Sequence, residues 1–270
     1  MLVCPKCGKT LEKRLNTFRC EDGHSFDISK EGYVNLLMPN KKNSLLPGDN
    51  KEMVSSREQF LNKDYYAPLK DAISKYINDN FKHKVALLDA GCGTGYYSVH
   101  IKQKFQYVMD ILGVDISKFA VQKAAKKDKE ELFIVSSIFD LPIKDKSFDI
   151  ILNIFSPKAT ESFTRVLKDN GVLIQVMPGK MHLIELKELL YKEKTYENEV
   201  EFEYGNFKLK DNFEVSYKIN VDKEDLIHLF TMTPYLYKTK LEDIKALDSV
   251  DRLDITIDFV VAIWGKWWKS

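Results

Sequence analysis

The chain has 270 residues, of which 44% are hydrophobic and 30% charged, and its formal net charge is +1. This length suffices for one main domain with small modules, and the near-zero charge excludes nucleic-acid binding through overall charge alone, so any such binding must come from local patches. No apolar run approaches the roughly 18 residues of a membrane span, and no signal peptide is evident, so we expect a cytoplasmic protein with no membrane contact.

The first predicted element is a cluster of metal-ligand residues near the N-terminus. Cys4 and Cys7 are separated by two residues, and Cys20 and His24 follow after a longer loop. Three thiolates and one imidazole suit tetrahedral Zn²⁺, and a complete set indicates a structural site, because catalytic zinc keeps one position open. A redox Cys-x-x-Cys is expected near a βαβ pattern rather than on an isolated N-terminal segment, and a disulfide would leave His24 unexplained. We therefore predict one structural zinc ion in a module of residues 1–36.

A polar segment and an amphipathic helix follow. Residues 37–57 include many Asn, Lys, Ser, Pro and Gly residues, which is typical of a connector. Residues 58–270 form the predicted main domain. Within it, Leu69, Ile73 and Ile77 share one helical face, so we expect this helix to pack on the sheet before its first strand.

A glycine-rich turn follows the first predicted strand of the main domain, residues 85–88. Asp89 ends the strand, and alternate residues of the turn at 91–95 are glycine. Glycine permits φ > 0 and lets a ligand approach the main chain. The spacing departs from the Gly-x-Gly-x-x-Gly dinucleotide fingerprint, because Tyr96 stands at the position of its last glycine. The candidate ligand-binding glycines are Gly91, Gly93 and Gly95.

A second acidic residue supports a nucleoside-binding interpretation. Asp115 ends the next predicted strand, where a ribose-binding carboxylate falls in a βαβ unit. Together with Asp89 and the glycine turn, it resembles the S-adenosylmethionine site of class I methyltransferases. The alternative is a tight strand-to-helix turn in another kind of α/β domain. Cys92 within the turn is interpreted as a small packing residue rather than a nucleophile.

Strands and helices alternate along residues 85–177, which predicts a parallel sheet with helices on both faces. Ligands of such a sheet bind at the carboxyl ends of the strands, where the glycine turn lies. Residues 153–157, Asn-Ile-Phe-Ser-Pro, follow the fourth strand, and we expect either contacts to a target base there or only a strand end with a proline stop. Residues 193–220 give uncertain strands, and the β-rich residues 252–264 fit a closing antiparallel strand.

Several further stretches complete a family pattern. The zinc ligands lead into Lys-Glu-Gly-Tyr-Val-Asn-Leu-Leu at 30–37, followed by Pro-Gly-Asp at 47–49, Pro-Gly at 178–179 and Met-Thr-Pro at 232–234. With the glycine turn, these stretches resemble the bacterial 23S ribosomal RNA (guanine-N1)-methyltransferases of the RlmA type, nearly from end to end. The fold implied is a class I S-adenosylmethionine-dependent methyltransferase, α/β with a Rossmann-like, mostly parallel sheet and an N-terminal zinc-binding module.

The resemblance implies a larger site and further partners. It implies that Tyr66, the Gly95–Tyr96 pair and His182 contact the methyl donor; taken alone, Tyr66 is more often a packing residue and His182 an ordinary surface histidine. It implies that the zinc module helps to recognise a 23S ribosomal RNA hairpin and that the enzyme is a homodimer. The expected activity is methyl transfer from S-adenosylmethionine to N1 of a guanine in that hairpin loop.

Two other functions stay open at the level of sequence. One is a small-molecule methyltransferase whose zinc module is only structural. The other is a zinc-dependent RNA-binding assembly factor with a vestigial donor pocket, against which the intact Asp89, Asp115 and glycine turn argue. Transfer to guanine N1 also requires loss of a proton, which a carboxylate, a histidine or water could accept. The sequence identifies none of these as the base.

Overall fold

A mostly parallel sheet of eight strands forms the centre of the protein. The computed structural model describes residues 1–39, 48–107, 109–191 and 200–267. In chain order, the strands of the main sheet are β4 (Val34–Asn35), β5 (Val85–Ala90), β6 (Met109–Asp115), β7 (Leu132–Val135), β8 (Phe148–Ile154), β9 (Leu167–Pro178), β10 (Phe207–Asp222) and β11 (Arg252–Lys266).

The order of the strands across the sheet is β10-β11-β9-β8-β5-β6-β7-β4. The pairs on either side of β11 are antiparallel and the others are parallel. The α/β architecture and the closing antiparallel strand predicted from the sequence are therefore confirmed. Because parallel strands end at the same edge, the loops after β5, β6, β7, β8 and β9 meet at one carboxyl edge.

Helices cover both faces of this sheet. Leu69, Ile73 and Ile77 are fully buried in one core with Leu87 of β5, as their shared helical face predicts, whereas Leu88 packs into the core on the opposite face. The helices are α1 (Lys51–Asn62), α2 (Ala67–Asn80), α3 (Tyr96–Lys104), α4 (Lys118–Lys127), α5 (Thr160–Val166), α6 (Ile184–Leu190), α7 (Lys223–Thr231), α8 (Tyr235–Lys238) and α9 (Leu241–Ile244), followed by a 3-10 turn, Lys245–Ser249.

The uncertain strands of residues 193–220 resolve into β10 where the structure describes them. Residues 192–199 lie outside the described part of the chain. Along residues 212–221 of β10, exposed positions alternate with covered ones. β10 is an edge strand with one face in water, so polar residues alternate with apolar ones along it. It therefore lacks the continuous apolar run by which the central strands are predicted.

The N-terminal module packs directly on the main domain. Its small antiparallel sheet consists of β1 (Glu12–Arg14), β2 (Thr17–Arg19) and β3 (Ser25–Asp27). Leu2 forms a bridge with Ile143, and β4 then joins the main sheet as the parallel neighbour of β7. The module thus extends the central sheet as well as carrying the cysteine cluster.

The predicted connector contains the start of the first helix. Residues 40–47 lie outside the described part, including the proline of the Pro-Gly-Asp stretch. Asn50 then caps α1, since its side chain accepts a hydrogen bond from the Met53 amide. The first helix therefore begins inside residues 37–57.

Candidate functional site

The glycine turn lies at the carboxyl end of β5, and all its glycines adopt positive φ. The φ angles are 89° at Gly91, 52° at Gly93 and 72° at Gly95. The amides of Gly91 and Cys92 both donate to the carbonyl of Val114 on β6, at 2.8 and 3.0 Å. The neighbouring strand therefore fixes the path of the turn.

The three glycines have different surroundings. A Cβ atom added at Gly91 would lie 2.7 Å from Cβ of Ser156, and one at Gly95 would lie 3.2 Å from Cβ of Ala124. A Cβ atom at Gly93 would meet no heavy atom within 4 Å. Gly91 and Gly95 are therefore needed for packing, whereas Gly93 leaves open space into which a ligand can bind against the main chain.

Asp115 connects the glycine turn to the start of α4. Its Oδ2 accepts a hydrogen bond from the Gly93 amide at 2.9 Å, and its Oδ1 accepts one from the Ser117 amide at 2.8 Å. Burial raises the pKa of Asp115, and these two amide hydrogen bonds oppose that rise. Each carboxylate oxygen can accept a second hydrogen bond, so the half-buried side chain can also bind the hydroxyls of a ribose.

Asp89 is the buried acid of the site. It is 3% exposed, and its Oδ2 has no hydrogen-bond partner among the described residues. Burial raises its pKa to about 7; the nearby Ser98 side chain opposes this rise, and the charge of Asp115 adds to it. An unpartnered carboxylate oxygen at this depth is costly. A cationic or hydrogen-bonding ligand group would satisfy it.

Tyr96 is fixed at the first position of α3. Its hydroxyl donates to Oδ1 of Asp64 at 3.1 Å, and Nζ of Lys70 lies 4.5 Å from its ring centroid. Lys70 also forms an ion pair with Asp64. The ring is therefore held from two sides directly beside Gly95.

Tyr66 and His182 lie in a buried aromatic cluster around Phe259. The ring centroid of Phe259 is 5.0 Å from that of Tyr66 and 4.6 Å from that of His182. Tyr66 and His182 are 3% and 7% exposed. The expectation of an ordinary surface histidine is wrong, because His182 follows β9 into a turn that β11 covers. The cluster brings together two of the residues that the resemblance assigns to the donor.

His182 is a neutral imidazole in this environment. Its Nδ1 accepts a hydrogen bond from the Asp258 amide at 3.2 Å, so the neutral ring carries its proton on Nε2. Burial, with a smaller effect of the Lys187 charge, lowers the pKa of His182 to about 3. The ring can therefore donate a hydrogen bond at neutral pH but is a weak base.

Asn153 and Phe155, in the segment predicted either to contact a target base or only to end a strand, have different surroundings. Asn153 is fully buried; its Nδ2 donates to the Pro157 carbonyl at 3.1 Å, and its Oδ1 accepts from the Tyr204 hydroxyl at 3.4 Å. Asn153 thus holds the loop and cannot reach a base. Phe155 differs, since it is 47% exposed and has a φ of 52°. The only sequence signal for Phe155 is an aromatic residue after the fourth strand.

Two charged residues from the end of the connector, Asp49 and Arg57, lie near Asp115. Asp49 and Arg57 form an ion pair, and Nη2 of Arg57 donates to the Met232 carbonyl at 2.9 Å. The Ser117 hydroxyl donates to the Asp49 carbonyl at 2.7 Å. The charges of Asp49 and Arg57 both act on Asp115. Of these residues, the family pattern in the sequence included Asp49 and Met232.

The four predicted metal ligands come together in the N-terminal module, where their ligand atoms all lie within 4.8 Å of one another. Nδ1 of His24 is 3.5 Å from Sγ of both Cys4 and Cys20, and the Sγ atoms of Cys7 and Cys20 are 3.7 Å apart. Tetrahedral Zn²⁺ with Zn–S distances of about 2.3 Å and a Zn–N distance of about 2.0–2.1 Å places its ligand atoms about 3.5–3.8 Å apart. The geometry therefore fits Zn²⁺.

The fold and the two clusters together define a class of protein. A mostly parallel sheet closed by an antiparallel strand, a glycine turn after β5 and an acid at the end of β6 define a class I methyltransferase domain. The Cys₃His cluster adds a zinc ribbon to it.

Comparisons with known proteins identify the family. Residues 81–231 match the model of the family described as "Methyltransferase domain", and residues 2–45 match "RlmA, N-terminal". YxjB of Bacillus subtilis (strain 168), which is assigned to the 23S rRNA (guanine-N(1)-)-methyltransferases, is 30% identical over 98% of this chain and 97% of its own. The 23S rRNA (guanine(748)-N(1))-methyltransferase of Streptomyces fradiae is 33% identical over 70% of this chain and 67% of its own.

This chain therefore belongs to the RlmA-type family of 23S rRNA (guanine-N1)-methyltransferases. It is an S-adenosylmethionine-dependent methyltransferase with a structural zinc ribbon. The crystal structure of the YcgJ protein from Bacillus subtilis, 15% identical, shares the fold with a TM-score of 0.50 over 74% of this chain and 98% of its own. Among the described residues, no helix is long and apolar enough to cross a bilayer.

Proposed function

We propose that this protein transfers the methyl group of S-adenosylmethionine to N1 of a guanine in a hairpin loop of 23S ribosomal RNA. One observation supports the proposal above all. The RlmA-type zinc ribbon, which the family pairs with this activity, is packed onto a methyltransferase domain in which the glycine turn is hydrogen-bonded to Asp115. Ribosomal RNA as substrate also implies a cytoplasmic enzyme.

The glycine turn and the two acids are proposed to bind the donor. Asp115 accepts hydrogen bonds from the ribose hydroxyls while the amides of Gly93 and Ser117 hold its carboxylate in place. Asp89 receives the amino end of the donor, because a cation there satisfies its unpartnered oxygen. When bound, the donor supplies an activated methyl group on a sulfonium ion. Gly91 and Gly95 hold the main chain of the turn in the conformation that donor binding needs.

The aromatic residues are proposed to close the donor site against water. Tyr66 and His182 pack around Phe259, and Tyr96 is held beside Gly95. In-line displacement depends mainly on alignment and exclusion of water, which rigid rings provide. His182 contributes a hydrogen-bond donor rather than a base, because its pKa of about 3 makes proton uptake from guanine N1 unfavourable.

The N-terminal module is proposed to hold one structural Zn²⁺ and to contact the RNA. Cys4, Cys7, Cys20 and His24 fill all four positions, which leaves none for catalysis. Lys13 and Arg14 lie on the fully exposed strand β1, where phosphates can reach them. The homodimer that the family pattern implies stays a prediction, which light scattering of the purified protein tests.

Methylation by purified protein tests the proposed function. Isolated 23S ribosomal RNA, 16S ribosomal RNA and free guanosine are each incubated with labelled donor, and the products are digested to nucleosides for mass spectrometry. We expect 1-methylguanosine from 23S RNA only. Methylation of free guanosine with none of RNA would favour a small-molecule enzyme, and RNA binding without donor binding would favour an assembly factor.

A further inference from the structure

Phe155 combines two unusual properties at the carboxyl edge of the sheet. Its φ of 52° lies in the left-handed region, which bulky residues seldom occupy, and its side chain is 47% exposed. A strained backbone that presents an apolar ring to solvent has a cost in folding free energy that partial burial of the ring offsets only in part. Such strain is concentrated at functional sites, which motivates a search for a ligand.

The exposure of Phe155 does not come from a loose loop. Its amide donates to the Val176 carbonyl at 3.3 Å, which ties it to β9. The Asn153 side chain closes the loop onto the Pro157 carbonyl at 3.1 Å. The side chain of Ser156 packs against Gly91 so closely that no Cβ would fit there. The loop therefore holds Phe155 in one place, directly beside the donor turn.

The ring of Phe155 continues the aromatic cluster toward the surface. Its centroid is 5.1 Å from that of Phe259, which in turn contacts Tyr66 and His182. Tyr66 and His182 are buried, and Phe155 is the exposed member of this series. A planar molecule that stacks on Phe155 would thus lie next to the proposed donor site and outside it.

We propose that Phe155 is the stacking surface for the target guanine. The inference rests on the proposed function and adds the residue that contacts the base. Sequence-specific RNA recognition commonly places an unstacked base on an aromatic ring, and an enzyme that modifies a base must remove it from its stack. A rigid, exposed ring one residue from the contact with Gly91 satisfies both requirements.

Matched substitutions test this proposal. Phe155→Leu removes the ring and keeps an apolar side chain, and Phe155→Asn removes it with a residue that tolerates positive φ. Phe155→Tyr restores a ring. Tyr107→Leu is the control, since Tyr107 is 41% exposed but precedes β6 at the opposite edge of the sheet. Each variant is assayed for kcat/KM on 23S RNA, for donor affinity by calorimetry and for melting temperature.

Loss of the ring should affect RNA and spare the donor. Base–aromatic stacking predicts a fall in kcat/KM for RNA of about tenfold to a hundredfold in Phe155→Leu and Phe155→Asn, with near wild-type values for Phe155→Tyr and Tyr107→Leu. Donor affinity should change by no more than about twofold. Unchanged kcat/KM in both ring-removing variants, or a parallel loss of donor affinity, would overturn the assignment. Absence of any RNA methylation by wild-type protein would instead overturn the proposed function itself.

Discussion

The zinc ribbon and the donor turn both use glycines at positive φ, but they are supported in different ways. Gly8 and Gly23 turn the chain beside the cysteines of a small sheet whose first strand is fully exposed. Gly91 and Gly95 instead pack against neighbouring side chains, and the amides of their turn bond to a buried strand. The ribbon should therefore depend on its ligand for order, whereas the main sheet should shape the donor turn with or without a ligand.

Removing the zinc ligands should have the largest effect and should be confined to one region. We expect about one zinc per chain in the wild type and none in the Cys4→Ala, Cys20→Ala double variant. The ribbon should lose its order, because metal binding in zinc-finger peptides supplies about 10–16 kcal/mol of folding free energy. RNA methylation should be lost, while donor affinity should change by about twofold at most. Metal analysis, limited proteolysis and calorimetry measure these quantities.

Cys92→Ala provides the control for that experiment, since Cys92 lies in the donor turn, outside the metal cluster. This variant should retain its zinc. We expect the ribbon, but not the donor turn, to depend on zinc. This expectation is wrong if wild-type protein prepared without chelator contains no zinc, or if donor binding is lost together with the metal.

Substitution of Gly93 should break the donor site without breaking the fold. Gly93→Ala places a methyl group in open space where the donor is expected, so overpacking should weaken donor binding by up to about a hundredfold. The left-handed backbone should cost only about 1–2 kcal/mol of stability. Gly32→Ala is the matched control, because Gly32 also has positive φ and no neighbour within 4 Å. It should lose stability and keep its donor affinity; equal affinity losses in both variants would argue against a specific donor contact at Gly93.

Asp115→Asn should have a smaller effect on the same site. The variant keeps one oxygen but places an amide donor against either the Gly93 or the Ser117 amide. Loss of a charge-assisted hydrogen bond to ribose should weaken donor binding on the order of tenfold. Calorimetry with S-adenosylmethionine measures this loss. Unchanged affinity would remove Asp115 from the ribose contact.

The pH dependence of donor binding should be no larger than the effect of Asp115→Asn. Burial raises the pKa of Asp89 from its ordinary value of 3.8 to about 7. Between these two pH values, the folded protein without ligand keeps the Asp89 carboxyl protonated, whereas the unfolded chain has lost that proton. Stability should therefore fall as pH rises from about 4 to about 7. Donor binding needs the ionised form, so affinity should rise about tenfold from pH 6 to pH 8. Asp89→Asn should abolish this dependence, and a wild-type affinity that is flat across that range would contradict the role of Asp89.

Local patterns were sufficient to predict the central strands, the glycine turn and the metal cluster. β5 is buried on both faces, and its first four residues form a continuous apolar run that is easily recognised. The zinc ligands lie within 21 residues of one another, and their spacing nearly determines their geometry.

Long-range packing could not be predicted in the same way. β4 has only two residues and pairs with β7, about a hundred residues later in the chain. His182 is hydrogen-bonded to the Asp258 amide of β11, and the role proposed for Phe155 rests on a positive φ that no sequence pattern marks. The side of the site that we propose for the base was therefore harder to predict than the glycine turn.

Mapping methylation in 23S ribosomal RNA from cells with and without this protein tests the central claim most directly. An N1-methyl group blocks the Watson–Crick face of guanine, so reverse transcriptase should stop at that nucleotide. We predict one stop at a guanine in a hairpin loop, present only in cells that contain the protein, together with 1-methylguanosine in the digested RNA. Identical stops in both strains, or a product methylated only at N7 or on the ribose, would contradict the account.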